Sequence, residues 1–175
     1  MGERAGAITF LGAPLTLVGD EVRAGAKAPD FHCVIFDEGL QDVTLASSEG
    51  KVRIFSVTPS LDTPVCDVMA KRFNDEASSL PGDVVVYNVS VDLPFAVNRW
   101  CADSGAQNIT AISDYQDRSF GEAWGVLIKE LKLLARAVFV VDANDVIVYA
   151  EIVTEVTEEP DYVAALAAVK AAADG

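Results

Sequence analysis

The segment from residue 52 to residue 104 most constrains the fold, because it alternates two apolar runs with two stretches of helical periodicity. Residues 52–57 and 84–91 are rich in the β-branched residues that favour strands. Between them, apolar residues at 64–80 recur every three or four positions, which is the spacing of an amphipathic helix. Residues 95–104 predict a second helix. This strand–helix–strand–helix order requires parallel strands joined by a helical crossover.

Shorter patterns on either side complete the predicted architecture. Residues 8–11 and 15–18 are apolar runs separated by Gly12-Ala13-Pro14, which predicts an N-terminal hairpin within residues 1–28. The remaining candidates are strands at 33–36, 43–45, 111–112, 137–141 and 146–151, a helical turn at 119–124, and a C-terminal helix at 161–173. We therefore expect one domain over residues 1–175, an α/β sandwich whose central mixed sheet is flanked by helices.

The net charge restricts the partners of the chain. Lys and Arg number 13 and Asp and Glu number 27, which gives a formal charge of −14. Because nucleic-acid phosphates repel such a chain, we expect no nucleic-acid partner. No stretch approaches 18 apolar residues, and the N-terminus lacks the basic start and apolar core of a secretory signal. The sequence therefore predicts no membrane partner, and we expect a cytoplasmic protein.

The histidines and cysteines are too few for the common Cys and His zinc sites. The chain has one histidine, His32, and three cysteines, Cys33, Cys66 and Cys101. The cysteines form no Cys-x-x-Cys pair, and one histidine excludes both Cys₂His₂ and three-histidine sites. We expect no bound metal, and any mechanism that needs a histidine base would depend on His32.

Cys66 stands where a thiol can become reactive. Pro64 suits the first position of the helix predicted at 64–80, because it lacks an N–H that would be unsatisfied there. Thr63 then falls at the N-cap, a position that favours hydroxyl side chains, and Cys66 falls in the first turn. Free N–H groups and the helix dipole stabilise an anion there, and the Thr63 hydroxyl can donate to a thiolate. The position also fits a buried, unreactive Cys66 that packs as a small apolar residue.

A helix start alone is too weak to keep a thiol ionised at neutral pH. Lowering a thiol pKa from about 8.5 to about 6 takes roughly 3.4 kcal/mol. A helix terminus supplies about 0.3–2 kcal/mol, and the neighbouring Asp62 and Asp67 act against ionisation. A reactive Cys66 therefore requires a nearby cation.

Four segments, taken in order, resemble one enzyme family. Pro59, Thr63 and Cys66 are spaced as in Pro-x-x-x-Thr-x-x-Cys, which is similar to the peroxidatic-cysteine motif of peroxiredoxins. The wider match is to the bacterial thiol peroxidase subfamily and extends over about residues 8–170. It rests on Ser-Leu-Asp-Thr-Pro-Val-Cys at 60–66, Asp-Leu-Pro-Phe-Ala at 92–96, Leu-Ala-Arg-Ala-Val-Phe at 134–139 and Glu-Glu-Pro-Asp-Tyr at 158–162. The connector before Arg136 is shorter than is usual in the family and lacks glycine.

This resemblance implies a thioredoxin-like fold and the reduction of hydrogen peroxide and organic hydroperoxides without a metal or other cofactor. It implies that Cys66 is the peroxidatic cysteine, that Thr63 bonds the thiolate and the peroxide, and that Pro59 shields the thiolate from solvent. Arg136 corresponds to the arginine that would supply the required cation. Cys101 corresponds to the resolving cysteine, which forms a disulfide with Cys66. Thioredoxin or a similar dithiol protein would reduce that disulfide, and the family commonly forms homodimers.

Two other functions stay open at this point. The same pair of cysteines could serve a redox sensor or a thiol–disulfide exchange protein, which would need a disulfide partner but little turnover. The chain could also be a catalytically silent interaction module with this fold. Because Thr63, Cys66 and Arg136 are all present, we favour the peroxidase.

Overall fold

The computed structural model describes residues 2–81 and 83–175, and its main feature is a seven-stranded mixed sheet. The elements in chain order are β1 (Glu3–Phe10), β2 (Ala13–Val18), β3 (Cys33–Phe36), β4 (Leu40–Val43), β5 (Val52–Val57), α1 (Pro64–Ala77), β6 (Val84–Ser90), α2 (Pro94–Ser104), β7 (Thr110–Ser113), α3 (Ser119–Ala123), β8 (Leu127–Ile128), β9 (Ala137–Val141), β10 (Ile147–Ile152) and α4 (Tyr162–Asp174). A short 3₁₀ helix, Leu45–Ser48, follows β4.

The order of the strands combines a parallel centre with antiparallel flanks. The sheet runs β10-β9-β5-β6-β7-β3-β4. β5, β6 and β7 are parallel because α1 and α2 are the crossovers between them, whereas β9, β10, β3 and β4 pair antiparallel. β1 and β2 form the N-terminal hairpin, which pairs with β8 in a separate three-stranded sheet. The predicted α/β sandwich with a mixed sheet is confirmed.

The two faces of the sheet are covered by different apolar layers. Successive side chains of a strand point to opposite faces, and β5 and β9 each place buried apolar residues on both faces of the sheet. Ile54 and Val138 pack with residues of α1, α2 and α4. Phe55 and Phe139 pack against Trp124 and the N-terminal hairpin on the other face. The hairpin is therefore part of the second layer of the core.

The fourth strand differs from the sequence prediction. It covers Leu40–Val43 rather than residues 43–45, and residues 45–48 form the 3₁₀ helix instead. The N–H of Leu45 donates to the Asp30 carboxylate at 3.1 Å. Because of this bond, the chain turns away from the sheet after Val43, which is the residue that pairs with Cys33, and β4 ends there.

Two further differences concern the end of α1 and the small strand β8. α1 ends at Ala77 rather than at residue 80, because the hydroxyls of Ser78 and Ser79 bond back to carbonyls of the last turn and compete with further helix. β8 has only two residues, which is too short for an alternating pattern to predict it.

The register of the sheet brings the start of α1 close to the start of β9. The last residue of β5, Val57, pairs with Ala137, the first residue of β9. The chain leaves β5 through residues 58–63 and enters α1 at Pro64. Arg136, which immediately precedes β9, therefore lies beside the first turn of α1.

Candidate active site

Cys66 lies in the first turn of α1, as predicted, and is fully buried. Thr63 is the N-cap, with φ −122° and ψ 147°, and Pro64 occupies the first helical position. The first helical hydrogen bond is donated by the N–H of Asp67 to the carbonyl of Thr63, at 3.0 Å. The N–H of Cys66 therefore has no acceptor within the helix and lies at the positive end of the helix dipole. The Cys66 side chain has 0% exposure.

Arg136 supplies a cation beside this thiol. Its Nη2 lies 3.5 Å from Cys66 Sγ, and its Nη1 lies 3.5 Å from Met69 Sδ. Its Nε and Nη2 donate to the carbonyl of Val156 at 3.1 and 3.0 Å. The arginine is itself 2% exposed, so its charge acts on Cys66 with little screening by water.

The charge of Arg136 has no carboxylate partner among the described residues. The other buried arginine, Arg53, pairs with the carboxylate of Asp145. Arg136 instead contacts one carbonyl and two sulfur atoms. A buried cation without a counterion is costly, and the Cys66 thiolate is the anion that can pair with it. The cation that the sequence argument required is therefore in place.

A tight connector without glycine presents Arg136. The N–H of Ile128 donates to the carbonyl of Leu133 at 2.8 Å, and the N–H of Ala135 donates to the carbonyl of Val126 at 2.7 Å. The turn closes because Lys132 adopts φ 58°, a left-handed conformation that glycine usually supplies. The short connector therefore places Arg136 at the start of β9, and the left-handed backbone of Lys132 is the strained conformation that this requires.

The loop before α1 is held by Asp92, to which sequence reasoning assigns no role. The Asp92 carboxylate accepts bonds from the Ser60 hydroxyl at 2.7 Å and from the Leu61 N–H at 2.8 Å. Pro59 is buried in the same loop. The Thr63 hydroxyl donates to the carbonyl of Ser60 at 2.9 Å, rather than to Cys66 as the sequence suggested. Asp92 is the first residue of the Asp-Leu-Pro-Phe-Ala segment at 92–96, whose resemblance to the family was the only sequence indication of a role for Asp92.

Cys101 lies in α2, half-buried in the apolar layer that also contains Met69. Burial raises the pKa of the Cys101 thiol, so it is protonated at neutral pH. The preceding residue, Trp100, donates from Nε1 to the Asp67 carboxylate at 3.0 Å. One hydrogen bond therefore joins the immediate neighbours of Cys66 and Cys101. All three cysteines are free thiols in this structure.

The third cysteine lies away from this site. Cys33 lies in β3, where the sequence predicted a strand, and it is buried. Its Sγ lies 3.8 Å from a carboxylate oxygen of Asp114. Burial, followed by the charge of Asp114, raises the pKa of Cys33. Asp114 also accepts the N–H groups of Phe120 and Gly121 at 3.0 and 2.8 Å, so this pair has a structural role at the start of α3.

A cleft separates the two helices that carry Cys66 and Cys101. It is a cavity of about 370 Å³ between the 60–62 loop and α2. Polar side chains from both sides line it, including those of Ser60, Asp92, Arg99 and Trp100. Neither Cys66 nor Cys101 lines this cleft, so it lies beside the two cysteine segments without reaching either sulfur atom.

Comparison with known proteins now identifies the family. Residues 23–166 match the Redoxin family. The chain belongs to this family. It is 55% identical to a thiol peroxidase of Halalkalibacterium halodurans over 94% of this chain and 98% of the relative. It is 54% identical to a thiol peroxidase of Bacillus subtilis over 94% of this chain and 96% of the relative.

A solved structure agrees with these relatives. The crystal structure of a peroxiredoxin-like protein from Aquifex aeolicus superposes with a TM-score of 0.87 and 39% identity, covering 97% of this chain and 99% of that one. Together these likenesses show that the chain is a peroxiredoxin-type peroxidase with a thioredoxin-like fold. Within the residues that the structure describes, no helix is both long and apolar enough to cross a membrane.

Proposed function

We propose that the protein reduces hydrogen peroxide and organic hydroperoxides through Cys66 and is recycled by thioredoxin or a similar dithiol protein. The observation that carries this proposal is the buried Arg136 guanidinium, 3.5 Å from Cys66 Sγ and without a carboxylate partner among the described residues. A guanidinium in this position favours the thiolate, which is the nucleophilic form of cysteine. The first turn of α1 adds the field of its N–H groups.

In the first step the Cys66 thiolate attacks the nearer oxygen of the hydroperoxide. A sulfur–oxygen bond forms and the oxygen–oxygen bond breaks, so that sulfur is oxidised by two electrons to sulfenic acid and the peroxide is reduced. The departing oxygen leaves as alkoxide or hydroxide and takes up a proton to become alcohol or water. Arg136, the Cys66 N–H and the Thr63 hydroxyl, once it turns away from the Ser60 carbonyl, are the groups that stabilise the charge on that oxygen. Pro59, buried in the same loop, keeps bulk water from the thiolate.

In the second step the Cys101 thiol attacks the sulfur of the sulfenic acid. The disulfide bond forms, the sulfur–oxygen bond breaks, and the hydroxyl leaves as water with the proton of Cys101. Because Cys66 is buried in α1 and Cys101 is packed in α2, at least one of these segments unravels to bring the two sulfur atoms together. A dithiol protein then reduces the disulfide by thiol–disulfide exchange.

Three further expectations accompany this function. We propose a homodimer in the cytoplasm, built from one domain over residues 1–175 with the hairpin of residues 1–28 as an extension. These expectations derive from the resemblance to bacterial thiol peroxidases. Sedimentation of the purified protein, reduced and oxidised, tests the dimer.

The decisive experiment measures peroxide consumption with a thioredoxin system as the electron donor. We expect Cys66→Ser to abolish consumption and Cys101→Ser to allow one turnover per chain. Cys33→Ser is the matched control, since Cys33 is equally buried but lies beside Asp114, and it should keep wild-type turnover. Unchanged consumption in Cys66→Ser would contradict the proposal. Rapid oxidation of the wild type followed by little turnover would instead indicate a redox sensor.

A further inference from the structure

Glu155, which lies between β10 and α4, joins the N-terminal hairpin to the loop beside the active site. Its carboxylate accepts the Thr9 hydroxyl at 2.8 Å, the Leu11 N–H at 3.0 Å and the Gly12 N–H at 3.1 Å. It also accepts the N–H and hydroxyl of Thr157 from its own loop. A single side chain therefore connects the tip of the hairpin to residues more than 140 positions away.

The hairpin tip is shaped to bind this carboxylate. Leu11 and Gly12 both have positive φ, 50° and 81°, so their successive N–H groups point to one side and form an anion-binding concavity. The hydrogen bond from Thr9, with those from Gly12 and Thr157, holds the pKa of Glu155 at about 2. The side chain is therefore ionised at every pH at which the protein works.

The backbone on both sides of Glu155 is fixed to the same strand of the hairpin. The N–H of Thr9 donates to the carbonyl of Thr154 at 2.7 Å, and the N–H of Val156 donates to the carbonyl of Thr9 at 2.9 Å. The carbonyl of Val156 then points inward and accepts Nε and Nη2 of Arg136 at 3.1 and 3.0 Å. The orientation of this carbonyl thus depends on how the hairpin holds residues 154–156.

Arg136 Nη2 is shared between the Val156 carbonyl and Cys66 Sγ. Because a guanidinium is planar, two bonds from Nε and Nη2 to one carbonyl fix the plane of the group and therefore where Nη2 lies relative to sulfur. Hydrogen bonds connect the hairpin tip to the Glu155 carboxylate, and others connect the carbonyl of the next residue, Val156, to Arg136 and onward to Cys66. The hairpin itself, residues 3–18, precedes the segment 23–166 that matches the Redoxin family.

We propose that Glu155 is a positioning residue for the peroxidatic site: it clamps the N-terminal hairpin onto residues 154–157 and thereby holds the Val156 carbonyl that orients Arg136 toward Cys66. The proposal rests on the proposed function for its meaning in catalysis. The positioning effect itself concerns only Arg136 and the Cys66 thiol, so the reactivity of that thiol tests it without peroxide turnover.

The test is the rate of iodoacetamide alkylation of Cys66 at pH 7, measured in a Cys101→Ser background. We expect Glu155→Gln to slow alkylation about fivefold, which corresponds to roughly 1 kcal/mol in the stabilisation of the thiolate. Glu3→Gln is the matched control, because Glu3 is a carboxylate of the same hairpin that pairs with Lys129 and makes no hydrogen bond or ion pair with residues 154–157. It should alkylate at the wild-type rate.

A double-mutant cycle separates positioning from general loosening of the fold. If Glu155 acts through Arg136, Glu155→Gln has no further effect once Arg136→Met is present. Equal slowing in both backgrounds, or wild-type alkylation in Glu155→Gln, would overturn the proposal. If Glu155→Gln fails to fold, Thr9→Val is the second variant, because it removes one hydrogen bond to the Glu155 carboxylate. We expect it to slow the alkylation of Cys66 by less than about fivefold. An unchanged alkylation rate in Thr9→Val would count against the proposal. Peroxide turnover retained in Cys66→Ser refutes the proposed function and leaves this result standing.

Discussion

Replacing Arg136 with Met tests the electrostatic argument most directly. Met keeps an unbranched side chain of similar length but removes the charge 3.5 Å from Cys66 Sγ. At about 4 Å and an effective dielectric constant of about 20, two unit charges attract by roughly 4 kcal/mol. A hydrogen bond to a charged group contributes about 1.5–3 kcal/mol net of desolvation. We therefore expect the thiolate to lose about 1.5–3 kcal/mol of stabilisation, which is about a 10- to 150-fold effect on its population.

The assay is the alkylation rate of Cys66 as a function of pH, again in a Cys101→Ser background. At pH 7 Arg136→Met should react about 10- to 150-fold more slowly than the parent. At alkaline pH the two rates should converge, because hydroxide then deprotonates the thiol without help from the arginine. Arg53→Met is the control, since it removes the other buried arginine, whose partner is Asp145, and it should leave alkylation unchanged.

Two results would refute this reasoning. One is a rate for Arg136→Met within twofold of the parent at pH 7, in a variant whose circular dichroism is native. The other is a deficit that stays constant up to alkaline pH, which would mean that Arg136 controls access to the thiol rather than its ionisation. Urea unfolding should also show a loss of about 1–3 kcal/mol, because the Val156 carbonyl loses both donors.

Three further predictions concern other parts of the molecule. Burial raises the pKa of Asp114 from 3.8 to about 6; its ionised form therefore destabilises the folded state, and stability falls as pH rises through 6. Relative to Asp114→Asn, the wild type should lose about 1.4 kcal/mol between pH 5 and pH 7.5 in urea unfolding. Trp100→Phe removes the bond to Asp67 and should speed Cys66–Cys101 disulfide formation about five- to tenfold in stopped-flow mixing with peroxide. Lys132→Gly relieves the left-handed strain at φ 58° and should raise the free energy of unfolding by about 0.5–1 kcal/mol.

Each of these predictions has a result that would contradict it. A pH dependence of stability identical in Asp114→Asn and wild type would mean that Asp114 does not titrate near pH 6. A disulfide that forms no faster in Trp100→Phe would mean that the bond to Asp67 is not part of the barrier. For the connector, Lys132→Ala keeps the strain and is the control, so equal stabilisation by Ala and Gly would exclude relief of φ as the cause.

Two central strands, β5 and β9, could be predicted to the residue, and the edge strand β4 could not. Val52–Val57 and Ala137–Val141 are buried on both faces, so their apolar runs begin and end with the strands. β4 lies at the edge of the sheet, and its exposed residues Leu40, Gln41 and Asp42 show no such run. Its position depends on pairing with β3, which no local pattern encodes.

Some parts of the candidate site could likewise be predicted from the sequence, and others could not. The helix start at Pro64 and the need for a cation follow from local sequence and from an energy estimate, and the resemblance connects Cys66 to Arg136 across 70 residues. The Val156 carbonyl has no sequence signal, because any residue supplies a carbonyl. Glu155 has none either, since its partners Thr9, Leu11 and Gly12 become neighbours only in the folded chain.

The isolation of Arg136 from other charges has a consequence for the direction of the proposed cycle. In the proposed cycle the Cys66 thiolate is both the nucleophile and the counterion of a buried cation, so a turnover that ends in a neutral disulfide would remove that counterion. In the reduced structure nothing else among the described residues neutralises the Arg136 charge, so the oxidised protein would either expose that charge to water or hold it unpaired. That charge favours opening of the site and return to the thiolate. In the proposed cycle this unpaired arginine would therefore contribute to the free energy that drives reduction of the disulfide.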